Sequence, residues 1–166
     1  MNSLLDGLLR LLEEETDLYR SLLSVLQKEK KAVVDSRLEE LDEAGKEKEG
    51  LILKIRFLEE KRMRFQKRLG DSMGYEPEEL TLTKLSQLVE EPYSIRLKIC
   101  YSNLLGMIPS IQKINHSNRS LLTHSLELVK GSLSLLNNFV ASNAVYYHTG
   151  EMQMRDGSGN VLSGKI

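Results

Sequence analysis

Apolar residues recur at helical spacing over most of the chain. From about Ser3 to Val34, Leu5, Leu8, Leu12, Tyr19, Leu22, Leu26 and Val33 follow a three-four spacing, with Glu15 and Glu29 in the gaps of the stripe. A second row, Leu4, Leu11, Leu18, Val25 and Ala32, runs beside it every seven residues. Two adjacent rows make a wide apolar arc, which predicts a helix with two neighbours. Such a helix would be about 48 Å long, a length suited to an elongated bundle or coiled coil.

The pattern breaks at Asp35-Ser36. Ser36 with Glu39 fits a capping box, and Asp35 is an alternative N-cap. A second helix is predicted from there to about Leu69, with Leu38, Leu41, Ile52, Ile55, Phe65 and Leu69 as its stripe and Leu51 and Leu58 beside it. Gly45 and Lys48 weaken the middle of that stripe. Gly70 to Pro77 reads as a turn-rich connection, followed by a short helix near Leu82 to Glu90 that Pro92 ends. A long helix is predicted from Tyr93 to Ser142, kinked or divided at Pro109. After Asn143 the periodicity fades into a Gly-rich stretch, read as a loose tail with a turn at Asp156-Gly157 that suits a hairpin. The expected architecture is all-α: an elongated antiparallel bundle over residues 1–142, with helices near 3–34, 36–69, 82–90 and 93–142, and a flexible tail over 143–166.

Composition agrees with a helical reading. The chain has 31 leucines among 166 residues, no Trp and 5% aromatics, a poor supply for a sandwich or barrel. The net charge of −1 argues against a general nucleic-acid binder. The single cysteine, Cys100, excludes an internal disulfide framework. No apolar run approaches the roughly 18 residues of a membrane span. The Leu-rich start is broken by Asp6 and lacks a preceding basic segment, so no signal peptide is read and a cytoplasmic location is expected.

The distribution of charge says more than its sum. Residues 1–91 hold 37 of the 47 charged side chains, whereas 93–142 hold six: Arg96, Lys98, Lys113, Arg119, Glu127 and Lys130. Ser and Asn fill most polar positions of that last helix, and a solvated face normally carries Lys and Glu instead. Two leucine rows run along it. Leu122, Leu126, Val129, Leu133, Leu136 and Val140 form one, and Leu121, Leu128, Leu135 and Phe139 form the other, centred roughly 115° away on an ideal helix. One row suits the bundle, while the other suits a third helix or an outside partner. Both being ordinary core is the plainer alternative. Leu121, Leu128, Leu135 and Phe139 are the candidate partner-binding residues. Tyr146 and Tyr147, just past the periodic region, are either a lock onto the bundle or anchors for a partner.

Catalytic chemistry is not assembled. His116 and His124 stand eight residues apart, about 12 Å along a helix, too far to share a metal. No nucleophile, base and orienter come together, and no Gly-rich phosphate loop follows a strand, so neither an enzyme nor a bound cofactor is expected. Cys100 reads as a small buried hydrophobe. The basic run Lys61, Arg62, Arg64, Lys67 and Arg68 reads first as cations complementing a helix C-terminus, and only second as a nucleic-acid site. Asn115-His-Ser117 and Asn118-Arg-Ser120 match the glycosylation pattern, but a cytoplasmic helix would not meet the enzyme.

The order of elements resembles a known family. Glu15-x3-Tyr19-x2-Leu22-Leu23-x2-Leu26-x2-Glu29, then Asp35-x2-Leu38, Leu51, Ile55, Leu58-Glu59 and Arg62, looks like the flagellar export chaperone family FlgN. Asn118-Arg119-x-Leu121-Leu122-x3-Leu126, Leu133 to Leu136 and Tyr147-x2-Gly150 are similar to that family's C-terminal half. No diagnostic motif falls between Gly74 and Ile114. The resemblance implies a bacterial cytoplasmic chaperone for type III flagellar export. It would bind the hook-filament junction proteins FlgK and FlgL and bring them to the export gate, without nucleotide or metal. The competing expectation is a structural coiled-coil scaffold without a client-release cycle. An exposed leucine row would equally suit a homodimer.

Overall fold

A computed structural model describes residues 2–76 and 79–142, with side chains described through Asn138. Four helices follow one another: α1 (Asn2–Val34), α2 (Leu38–Met73), α3 (Leu82–Leu88) and α4 (Tyr93–Ser142). There is no strand among the described residues, and the all-α reading holds. Met1–Thr123 form one compact unit, and the residues from His124 onward belong to a second.

Within the first unit α1 and α2 are antiparallel, and α4 runs back alongside α1. The contacts fix these directions. Lys28 of α1 reaches Glu47 of α2, while Arg62, later in α2, reaches the earlier Glu15. Arg96 of α4 meets Glu13 of α1, and Asn118 lies beside Leu26 and Glu29. The short α3 lets the chain turn round, so α4 starts at the end where α1 starts.

Two apolar clusters fill the unit. At one end Leu5, Leu8, Leu9 and Leu12 of α1 pack with Leu69, Leu80, Leu85, Leu97, Cys100 and Leu104, which brings all four helices together. Further along, Leu22, Leu26 and Ile55 pack with Leu51, Ile52, Ile111 and Ile114 from the three long helices. The wide apolar arc of α1 thus has the two neighbours its double row requires: Leu11, Val25 and Ala32 from the second row are buried as well.

The connections depart from the sequence expectations. Neither Asp35 nor Ser36 caps α2. Ser36 takes the left-handed conformation (φ 54°), with Arg37 N donating to Ala32 O (2.9 Å) and Ser36 N to Val33 O (3.2 Å). This closes α1 in a Schellman motif with Ser at the position glycine usually fills. Ser36 is therefore spent on ending α1, and α2 begins at Leu38 behind Arg37, which makes no side-chain cap. Leu38, expected in the stripe, is 76% exposed because the helix starts at the turn itself. The far end of α2 also differs. The helix continues through Gly70 to Met73 and stops at Gly74, whose φ of 75° supplies the left-handed cap. Burial of Leu69 and Gly70 in the four-helix cluster offsets glycine's helix penalty of about 1 kcal/mol. In the middle of α2, where Gly45 weakens the stripe, the buried small residue is Ala44.

The short helix is capped by Thr81, whose hydroxyl accepts from Lys84 N at 3.2 Å. Pro109 does not divide the last helix: α4 is continuous from Tyr93 to Ser142 with Pro109 inside it.

Candidate partner-binding helix

The first half of α4 is held by a stripe that the sequence reading passed over. Leu97, Cys100, Leu104, Met107, Ile111, Ile114 and Asn118 are spaced three-four throughout, and each is buried or half-buried in the bundle. Cys100 sits there as a packed apolar group. Burial, aided by the nearby Glu13 carboxylate, holds its thiol above the usual range, against nucleophilic use.

Asn118 ends the covered part of the stripe. Its amide donates to Leu26 O and to Glu29 Oε2, both at 2.8 Å. The other oxygen of Glu29 takes the Lys48 ammonium from α2. One residue from each long helix thus meets in a buried polar cluster, with Asn118 and Glu29 1% and 3% exposed. A second such link lies nearer the opposite end. Arg62 Nε stands 3.2 Å from Glu15 Oε2, both largely buried, and the Tyr19 hydroxyl donates to Glu59 at 3.1 Å. Desolvation holds the Glu15 carboxyl above its ordinary range, with Arg62 opposing. The same burial, together with the Glu59 and Glu15 charges, pushes the Tyr19 phenol up to about 12. Buried polar contacts of this kind fix the axial register of helices that leucines alone leave free to slide. Burial of Asn118 also removes it from consideration as a glycosylation acceptor in the folded chain.

Beyond Asn118 the same three-four register continues through Leu121, Ser125, Leu128, Ser132, Leu135 and Phe139. The candidate row is therefore a continuation of the stripe that packs the bundle. Leu121 is half-buried, but Leu128 and Leu135 are 73% and 63% exposed. The other row behaves in the same way: Leu122 is half-buried, and Leu126, Val129, Leu133 and Leu136 are all exposed. Neither row is ordinary core. Phe139 continues the register on the helix backbone, and Tyr146 and Tyr147 lie outside the described residues.

Around these leucines the charged groups are few and exposed. His124 and Glu127 pair at 3.5 Å in solvent, and the Thr123 and Ser132 hydroxyls bond back to Arg119 O and Leu128 O of their own helix. Among the described residues no cluster of His, Cys, Asp or Glu could hold a metal ion. No helix among them is long and apolar enough to cross a membrane. What remains is an amphipathic helix surface with two adjacent apolar rows, chemically suited to another helix.

Comparison with known proteins decides the family. The FlgN protein model matches residues 1–154. The chain belongs to the FlgN family. That is the family of flagellar export chaperones, and the resemblance read from Glu15–Glu29 and from Asn118–Leu126 is borne out. No curated protein and no solved structure matches the chain. Two of the residues that carry the FlgN resemblance, Glu15 and Glu29, are the buried carboxylates that pair with Arg62 and Lys48. A third, Asn118, is the polar end of the covered stripe.

Proposed function

We propose that the exposed rows of α4, centred on Leu121, Leu128, Leu135 and Phe139, are the surface on which this FlgN-family chaperone receives its clients, and that Tyr146 and Tyr147 extend it. The clients are the hook-filament junction proteins FlgK and FlgL, held in the cytoplasm before export and passed to the export gate. The observation that carries this reading is the exposure of Leu126, Leu128, Leu135 and Leu136 on a helix with almost no charge to solvate it. Apolar surface left open at this density marks a site that another chain covers. A client segment that folds as an amphipathic helix can complete the stripe beyond Asn118. The contacts would be leucine against leucine, edged by Ser and Asn, with no buried ion pair to dismantle on release. Ordering the client costs part of the binding energy, which keeps affinity in a range compatible with handing over.

The test is copurification and titration calorimetry with the terminal segments of FlgK and FlgL. Leu128→Lys with Leu135→Lys should abolish binding and leave helicity intact, since both side chains stand in solvent. Retained binding would remove the site from α4. Loss of a dimer in sedimentation, with no client bound by the unaltered chain, would assign the rows to self-association instead. Hydrogen exchange over Tyr146–Gly150 should slow when the client binds. Equal exchange in both states would exclude the tyrosines.

A further inference from the structure

The basic run of α2 has an environment that the dipole reading does not account for. α2 ends at Met73, and its last turn carries no basic residue, so Lys61 to Arg68 lie too far back to complement the C-terminus. Elsewhere the bundle sets many of its cations against carboxylates: Arg20 with Asp17, Lys28 with Glu47, Lys46 with Asp42, Arg96 with Glu13. Arg62 is the member of the run that does this, turned inward to Glu15.

Three of the others, Lys61, Arg64 and Arg68, belong to an exposed stripe. Leu53, Phe57, Lys61, Arg64 and Arg68 follow a four-four-three-four spacing, which places them along one line of the helix. Leu53 and Phe57 are 66% and 57% exposed. Lys61, Arg64 and Arg68 are exposed and have no carboxylate within ion-pair reach among the described residues. Two of them rest on aromatic rings instead: the Lys61 ammonium lies 4.2 Å from the Phe57 ring centre and the Arg68 guanidinium 6.0 Å from that of Phe65. Beside this stripe, between α1 and α2, is a hollow of about 350 Å³. Arg10, Lys61, Arg64 and Arg68 rim it, and Leu11 and Phe65 line its floor. Arg10 is held only by a stretched, solvent-exposed contact to Glu14 at 4.0 Å. Gly7 also lines it: a Cβ there would come within 2.8 Å of Phe65 Cζ, so the ring as it stands occupies the space a side chain at this position would need.

We propose that this stripe and hollow are a docking surface for an acidic amphipathic helix of a partner protein. Its carboxylates would face Arg10, Lys61, Arg64 and Arg68, and one apolar side chain would lodge on Leu11 and Phe65. Charge complementarity selects the sign, and three guanidinium forks select carboxylates, which they grip in pairs of parallel hydrogen bonds. The apolar floor selects a side chain over a phosphate backbone. The chain as a whole is slightly acidic, which disfavours a continuous row of phosphates. A lipid surface is disfavoured because α2 offers only Leu53 and Phe57 on this line for insertion, while its opposite face is packed on α1. The surface is independent of the α4 rows, so the client reading and this one stand or fall separately.

The probe is a fluorescein-labelled helical peptide with Glu on one face and a single Leu between them, and its Lys-for-Glu counterpart as control. Titrated into the full chain, the acidic peptide should bind with an affinity that falls as salt rises, and should perturb the NMR signals of Arg10, Phe65 and Arg68. Arg64→Glu with Arg68→Glu should weaken it by at least about tenfold, as expected for two lost charge-assisted contacts. Arg64→Gln with Arg68→Gln, which removes charge without adding repulsion, should give a smaller loss in the same direction, and circular dichroism should show both variants as helical as the parent. Unchanged affinity in either folded variant, or perturbation confined to other residues, would overturn the proposal. So would tighter binding of phosphatidylglycerol vesicles or of a single-stranded oligonucleotide than of the peptide.

Discussion

α1 and the far half of α4 are both leucine-rich helices with two adjacent apolar rows, yet their leucines have opposite fates. In α1, Leu5, Leu8, Leu9 and Leu12 are at most 2% exposed. In α4, Leu126, Leu128, Leu135 and Leu136 are at least 60% exposed. Spacing does not separate them, because both follow the same helical register. The polar positions do. α1 is flanked by Arg, Lys, Asp and Glu, which solvate its outer face and leave the leucines to the core. In α4 the flanking residues are Ser, Thr and Asn, groups that a second chain can cover without stripping water from charges. Periodicity locates an apolar face, and the flanking polar positions differ between the face this fold covers and the one it leaves open.

The contrast can be broken most forcefully in α1. Leu12→Ala should lower stability by about 2–5 kcal/mol in urea unfolding, because a fully buried side chain leaves a cavity. Removal of one partner of the polar cluster should come next. Lys48→Ala leaves the Glu29 carboxylate buried with Asn118 alone, and should cost about 3 kcal/mol. A third test uses pH. The folded chain holds the Glu15 proton to higher pH than the unfolded chain does, so this group's contribution is greatest in acid and declines as pH rises above 4.5. Glu15→Gln should therefore flatten the fall in stability on that side of pH 4.5, and an unaltered slope would discard the assignment. The smallest effect belongs to α4. Leu128→Ala should change stability by less than about 0.5 kcal/mol, as at any exposed site. A loss as large as that at Leu12 would abolish the distinction between the two regions.

The residues missed in the sequence share a physical cause. The stripe Leu97 to Asn118 has regular spacing, but Pro109 and Gly106 interrupt its propensity, and its last member is a polar Asn. Read without neighbours, an Asn on an apolar row looks like a boundary. In the fold it is a hydrogen-bonded part of the core, because Glu29 and the Leu26 carbonyl stand opposite. Ser36 was misread for a related reason. A Ser two residues before a helix resembles an N-cap, and only the backbone bonds that close α1 reveal that it belongs to the preceding helix.

What the sequence determined by itself was local: four helices in order, the apolar arc of α1, the poverty of charge in α4, and through its residue order the FlgN family. These follow from propensity and periodicity, which act over a few turns. The tertiary structure decided the pairings. It set Glu15 against Arg62 and joined Glu29, Lys48 and Asn118 across three helices. It carried α2 through Gly70 to Met73, and left Leu128 and Leu135 in solvent while burying Leu97 and Leu104 on the same helix. Each of these depends on which distant segment lies opposite a given face, and burial or ion pairing is a property of that opposition, which no single stretch of sequence contains.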